Sequence, residues 1–165
     1  MKRLSIVLAL GIAACGPGVK GGPTMNNKMG TQEYKAPSSP VVSEDILERE
    51  PVANTAGVKH ILISWEDLGD AFGGRQDPRA QKRTMKEAEA EVKSLVGQLK
   101  AGGDFEQLMK EHSEDAGSAA TNHVFTVTPD AQLVIEFRQL ALRLNPGEMG
   151  VCQSEFGFHI IKRYN

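Results

Sequence analysis

The chain has 165 residues, 40% of them hydrophobic, which is enough for one domain of ordinary size with segments to spare. Its 19 Lys and Arg against 21 Asp and Glu leave a formal charge of -2, so no basic excess points to nucleic acid and no acidic block marks a solvating tail. Two cysteines in unlike contexts, Cys15 and Cys152, argue against a disulfide framework.

The first segment reads as a leader. Met1-Lys2-Arg3 is a short basic start, and residues 4–14 are almost wholly apolar or small. Such a stretch is too short to span a bilayer as a mature helix and has the form of a signal-peptide core. It ends in Ile12-Ala13-Ala14-Cys15, which resembles the bacterial lipobox. That resemblance implies cleavage after residue 14 and lipidation of Cys15, and a multiply acylated cysteine satisfies the condition for stable anchoring. Gly16 rather than Asp follows the cysteine. By resemblance to Gram-negative lipoproteins, this implies an outer-membrane protein facing the periplasm. Residues 15–56 are then expected to be a tether, rich in Gly, Pro, Ser, Asn and Lys and without a sustained apolar period. The part Val41–Glu50 is compatible with a short helix. A coil of ~35 residues has an r.m.s. span of roughly 30–35 Å.

From residue 57 to 165 the pattern is that of a folded domain. Val58–Ser64 is apolar and β-rich, and predicts a strand. Trp65–Arg83 is polar and glycine-containing, and predicts a long loop of the kind that often carries function. Thr84 and Glu87 have the spacing of a capping box. Ala88, Val92, Leu95 and Leu99 then recur on one helical face until Gly102-Gly103 stops it. Asp104 is placed to cap a second helix carrying Phe105, Leu108 and Met109. Ser113–Asn122 predicts a loop and His123–Thr128 a short strand. Thr128-Pro129 has the form of a helix start, with Leu133, Val134, Phe137, Leu140, Ala141 and Leu144 on one face. Two closing strands are expected at Met149–Gln153 and Phe158–Lys162. The order is that of an α+β domain with helices on a small, mainly antiparallel sheet.

Four segments carry a resemblance to a known family. They are Lys59-His60-Ile61-Leu62-Ile63; Gly103–Leu108 running into His112-Ser113-Glu114-Asp115-Ala116-Gly117-Ser118; Leu133-Val134-Ile135-Glu136-Phe137; and Pro146–Met149 followed by Ser154-Glu155-Phe156-Gly157-Phe158-His159-Ile160-Ile161-Lys162. Together they resemble the parvulin-type peptidyl-prolyl cis-trans isomerases. The resemblance covers residues 58–163 and implies a parvulin-like (FKBP-like) fold with about three to four packed helices. Carried over residue by residue, it makes His60, Asp115, His159 and Ser154 the catalytic network. It makes Leu133 and Phe137 the walls of a proline pocket. The two histidines are expected to hydrogen-bond to each other and fix each other's tautomers, with Asp115 tuning them and facing the substrate amide. The family has a G-D-L-G turn where this chain reads Ala119–Phe125. The turn glycines and the pocket leucine are absent, and Val124 with Phe125 stand nearest to supply an apolar wall.

The function implied is acceleration of X–Pro isomerisation to assist the folding of exported or outer-membrane proteins. The clients would be proline-containing polypeptides and the enzyme a membrane-anchored monomer without nucleic-acid partners, cofactor or metal. The departing stretch leaves an alternative: a catalytically weak domain acting as a holdase or assembly scaffold. His112 and His123 complete the histidine set, but the four match no common zinc spacing. Ser113 near His112 and Asp115 lacks the nucleophile elbow of a hydrolase. Cys152 reads as a small buried strand residue. Arg75, Arg79, Lys82 and Arg83 give the long loop a basic element like that of phosphate-selecting parvulins. Glu66, Asp67, Asp70 and Asp77 dilute it, so no strong phosphate requirement is expected.

Overall fold

The computed structural model describes residues 39–50 and 52–165. The leader, Cys15 and most of the expected tether lie outside the described residues. The elements are α1 (Glu44–Leu47), β1 (Ala56–Ile63), two 3-10 helices at Glu66–Phe72 and Ala80–Lys82, α2 (Met85–Lys100), α3 (Phe105–His112), α4 (Ala116–Thr121), β2 (Phe125–Val127), α5 (Ile135–Arg143), β3 (Met149–Ser154) and β4 (Gly157–Arg163). The strands form one antiparallel sheet in the order β2-β1-β4-β3. The domain is therefore α+β, as its sequence implies.

Side-chain alternation along the strands divides the core in two. Ile61, Ile63, Val151, Phe158 and Ile160 meet α2 and α3 through Val92, Leu95, Phe105 and Met109. Val58, Cys152 and Ile161 face the other way, toward Phe137, Leu140, Ala141 and Leu144. With helices on both faces, β1 is buried at every position. That is why apolar residues stand at both odd and even positions of the strand rather than alternating, with Lys59 and His60 the polar exceptions. Local signals hold the first face in place. Thr84 Oγ1 accepts the Glu87 N–H and Glu87 returns a carboxylate to the Thr84 N–H. Gly102, at φ 97°, lets the chain leave α2, and Asp104 caps α3 through the Gln107 N–H. Cys152 lies buried, facing α5.

Three expectations need correction. First, Ser113–Asn122 is not all loop: α4 occupies Ala116–Thr121, capped by Asp115 and closed by Asn122 in the left-handed conformation. Its small residues make no apolar stripe, so periodicity cannot reveal it. Second, Thr128-Pro129 does not start a helix. Thr128 Oγ1 bonds instead to Asp130 Oδ1 at 2.6 Å, and the Ala131 N–H closes a turn onto the Thr128 carbonyl. α5 begins only at Ile135, and Leu133 and Val134 precede it. Third, the packed body begins well before residue 57. Ser43 exchanges hydrogen bonds with the backbone of Val151, Ile46 is buried beside α5, and Arg49 pairs with Glu148 at 2.7 Å. Gly150 makes room for this, because a Cβ there would stand 3.1 Å from both Ile46 and Leu140.

Candidate active site

Strand register brings the two histidines together. β1 and β4 pair His60 with Ile161 and Leu62 with His159, so the histidines are diagonal neighbours on one face, within reach of ring side chains. Their rings stack at 5.4 Å between centroids, with Nδ1 of one 3.2 Å from Nδ1 of the other. The β3–β4 turn fixes His159 from below. Gly157 sits at φ 131°, and a Cβ there would lie 2.5 Å from the Ile63 carbonyl oxygen, so only glycine permits this close approach.

The outer nitrogens of the pair have partners too. His60 Nε2 lies 2.9 Å from Asp115 Oδ2, and His159 Nε2 lies 2.7 Å from Ser154 Oγ. Ser154 Oγ also accepts the Phe156 N–H. A carboxylate only accepts. With both rings neutral, His60 therefore carries its proton on Nε2, and its bare Nδ1 accepts from His159 Nδ1–H. The Ser154 hydroxyl then donates to His159 Nε2. One carboxylate thus sets the direction of every bond back to the Phe156 amide. Asp115 performs two tasks, because Oδ1 caps α4 through the Ser118 N–H while Oδ2 takes His60. The Ser118 hydroxyl lies 3.4 Å from His60 Nε2. Electrostatics agree with this arrangement. The His60 and Ser118 hydrogen bonds outweigh burial and hold the Asp115 carboxyl below its ordinary range. Burial, helped by His60, pushes His159 down to about 3, so its ring is neutral at any ordinary pH.

Above this network lies a cleft of about 730 Å³. Phe125 and Phe137 meet the His60 ring edge-on, each at 5.2 Å, and Phe137 meets His159 at 5.5 Å. Leu133 lines the same wall, free to do so because it precedes α5 rather than lying on its core stripe. His60, Asp115, His159, Leu133, Phe125 and Phe137 are thus gathered around one cleft, and Ser154 is buried beneath it, out of reach of the opening. Val124 does not join them. It is 46% exposed and does not line the cleft, so of the two Phe125 supplies that wall. Sequence reasoning does not single out Phe72 and Phe156, which meet edge-on at 5.5 Å at the far end of the cleft. Phe72 comes from the long loop, where no period marks it; Phe156 sits inside the closing FGYH-like segment. Of the loop's four basic residues only Arg75 lines the cleft. Arg79 is held by Asp77 and the Ser113 carbonyl, and Arg83 by Glu91 and Glu114. Among the described residues, no group of three or more His, Cys, Asp or Glu is placed to hold a metal.

Comparison with known proteins identifies the domain's family and fold. Residues 45–165 match the family model of the PPIC-type PPIase domain. The foldase protein PrsA of Geobacillus kaustophilus is 25% identical over 122 residues, 73% of this chain and 43% of that protein. The chaperone SurA of Nitrosospira multiformis is 38% identical over 106 residues, 64% of this chain and 21% of that protein. The chain therefore spans less than half the length of these curated relatives. Among solved structures, the fold is similar to the peptidyl-prolyl isomerase ESS1 from Candida albicans. There the TM-score is 0.57 at 20% identity, over 76% of this chain and 67% of that one. The solution structure of TbPIN1 gives 0.58 at 19%, over 68% of this chain and 98% of that one.

Proposed function

The chain belongs to the PPIC-type, or parvulin, peptidyl-prolyl cis-trans isomerases, and from that premise we propose that it turns X–Pro bonds in exported polypeptides while they fold. The observation that carries the proposal is the hydrogen-bonded run Asp115–His60–His159–Ser154 beneath a cleft walled on one side by Leu133, Phe125 and Phe137. The leader that resembles a lipobox, and likeness to a foldase and a chaperone, support an exported protein held by lipid at Cys15. In a Gram-negative cell, Gly16 after the cysteine favours the outer membrane.

The chemistry needs no nucleophile. The barrier to turning a peptide bond, ~18–20 kcal/mol, is the resonance that planarity provides. An acceleration of ~10⁵ asks for roughly 7 kcal/mol of preference for the twisted bond. In this reading Leu133, Phe125 and Phe137 hold the pyrrolidine ring dry. Asp115, at the floor of the cleft and still partly exposed, presents a fixed negative charge beside the amide. A charge held in place stabilises the twisted form at no reorganisation cost. The two imidazoles and Ser154 keep that carboxylate and its hydrogen bond in one orientation.

The direct test is a protease-coupled or NMR exchange assay of the full chain on an Ala-Pro peptide. Catalysed exchange is expected. A rate equal to the uncatalysed one, together with suppression of client aggregation, would replace the enzyme by the holdase alternative. Two side chains refine the test. Leu133 is half-buried and off the helix, so Leu133→Ala is expected to raise KM about five- to tenfold, with the melting temperature within about 2 °C of wild type. Phe137 serves both wall and core, so Phe137→Ala is expected to cost about 3–5 kcal/mol of stability as well. Equal stability losses in the two variants would show that Leu133 is core.

The residue before proline is read by a single exposed cation. Among the described residues the Arg75 side chain makes no hydrogen bond or ion pair, and such a charge contributes up to ~1 kcal/mol. Glu-Pro peptides are therefore expected to turn over up to about fivefold faster than Ala-Pro, with the difference lost in Arg75→Ala. A preference for phosphoserine-Pro above about fiftyfold would contradict this.

A further inference from the structure

β1 has a strand on only part of one side. β2 pairs with Ala56, Gly57 and Val58 and then ends. Beyond that point the outward backbone groups of Leu62 and Ser64 need partners from elsewhere, because they are buried. The segment before α4 supplies them. Ser113 Oγ accepts the Leu62 N–H at 3.1 Å, the Glu114 N–H donates to the Leu62 carbonyl at 2.9 Å, and Glu114 Oε2 accepts the Ser64 N–H at 2.6 Å. Two side-chain oxygens and one amide therefore stand in for a missing strand. The next residue is Asp115, which this docking delivers to His60.

We propose that Glu114 is the positioning residue for the catalytic carboxylate: the reach of its side chain to the Ser64 amide, more than its charge, sets where Asp115 stands beneath the substrate bond. The inference rests on the isomerase reading above. The Glu114 side chain is 1% exposed, and Arg83 approaches its Oε1 at 2.9 Å, poorly aligned for a hydrogen bond. Arg83 is also shared with Glu91 and with the Ser64 carbonyl, so it keeps partners if the Glu114 charge is removed. Burial raises the Glu114 carboxyl against these groups. The hydrogen bond to Ser64 has no such substitute. It is the only direct hydrogen bond in the set that ties the segment to the chain beyond Leu62, Arg83 adding an indirect bridge to the Ser64 carbonyl, and a tie at that point stops the segment from pivoting about Leu62. A pivot of that kind would carry Asp115 away from His60.

The two components separate by mutation. Glu114→Gln keeps the acceptor in reach of Ser64 and removes the charge. Glu114→Asp keeps the charge and withdraws it by about 1.5 Å, one carbon–carbon bond, out of hydrogen-bond range. In the full chain, Glu114→Asp is expected to lower kcat about tenfold with KM within about twofold. Glu114→Gln should stay within about threefold of wild type in both. In an Asp115→Asn background, Glu114→Asp should cost no further activity, since what it displaces is already neutral. A second readout does not depend on turnover. ¹⁵N NMR of the His60 ring should show the Nε2–H tautomer in the wild type and in Glu114→Gln, and a mixture with the Nδ1–H form in Glu114→Asp. The proposal is overturned if Glu114→Gln is the more damaging variant in kcat, if the Glu114→Asp and Asp115→Asn losses multiply, or if the His60 tautomer is unchanged in Glu114→Asp. Absence of turnover in the wild type would count against the isomerase reading alone, and the tautomer measurement would still decide this one.

Discussion

Replacing His159 by leucine is expected to lower stability by about 2–4 kcal/mol and kcat/KM, per folded molecule, by roughly 10–100-fold. The stability loss follows from what remains behind. His159 is 4% exposed, and removing its ring strips the Ser154 hydroxyl of its acceptor and His60 Nδ1 of its donor. Each orphaned buried group costs about 1–3 kcal/mol, and the apolar replacement returns part of that through packing against Phe137. The activity loss comes through a different route. Without the His159 donor, His60 is free to exchange tautomers, and in its Nδ1–H form Asp115 Oδ2 loses its imidazole donor, leaving the carboxylate held only through Oδ1 by the Ser118 N–H. Removing a preorganised partner of a developing dipole typically costs 10²–10³ when it touches the substrate; one step further away the loss is smaller. Thermal melts and the exchange assay on the same preparation check both parts. Lost stability with activity per folded molecule unchanged would make the histidine pair a structural element only.

Acid should weaken the fold before ordinary carboxylates titrate. The His159 pKa falls from its usual 6.5 to about 3 because the ring is buried beside His60. Between those values the unfolded chain binds a proton at this position and the folded chain does not, so stability falls as pH falls. The slope approaches 1.4 kcal/mol per pH unit, giving a loss of about 2–3 kcal/mol between pH 6.5 and 4.5. Asp115 acts later and in the same direction. Its carboxyl is held low by His60 and Ser118, and its contribution, present above the unfolded value near 3.8, is lost as pH drops through the folded one. Urea titrations of the wild type and of His159→Gln at pH 6.5, 5.5 and 4.5 separate the two groups. The variant should lack most of the slope in this range. Parallel slopes would show that His159 remains protonatable in the folded state.

How much of this was legible in the sequence depends on the range of the signal. The start of α2 was readable because a capping box spans only four residues and its apolar face repeats. α4 was not, because Ala116–Thr121 presents no side chain large enough to mark a face. Thr128-Pro129 misled because the hydroxyl it offers bonds to Asp130 instead of a helix amide. The same error placed Leu133 on a helix stripe, although it lines the cleft from the segment before the helix. The site itself lies beyond local reasoning. His60 and His159 are 99 residues apart in the chain, and no period says that β1 and β4 are neighbours. Resemblance to a family pairs them in sequence, and strand register does so in space. Phe72 stayed hidden for the opposite reason, and Arg75 could not be told from Arg79, Lys82 and Arg83: their loop follows no pattern in which a residue facing a cleft would stand out.

The early entry of the chain into the folded body has a consequence for the exposed edge of the sheet. β3 is the outermost strand on its side of the sheet, and a bare outer strand invites any extended polypeptide to add itself by backbone pairing. Here Ser43 takes both outward groups of Val151, and α1 lies alongside through Ile46. The segment ahead of β1 thus covers the middle of that flank. At that point of the β3 edge an added strand would find the outward backbone groups already taken.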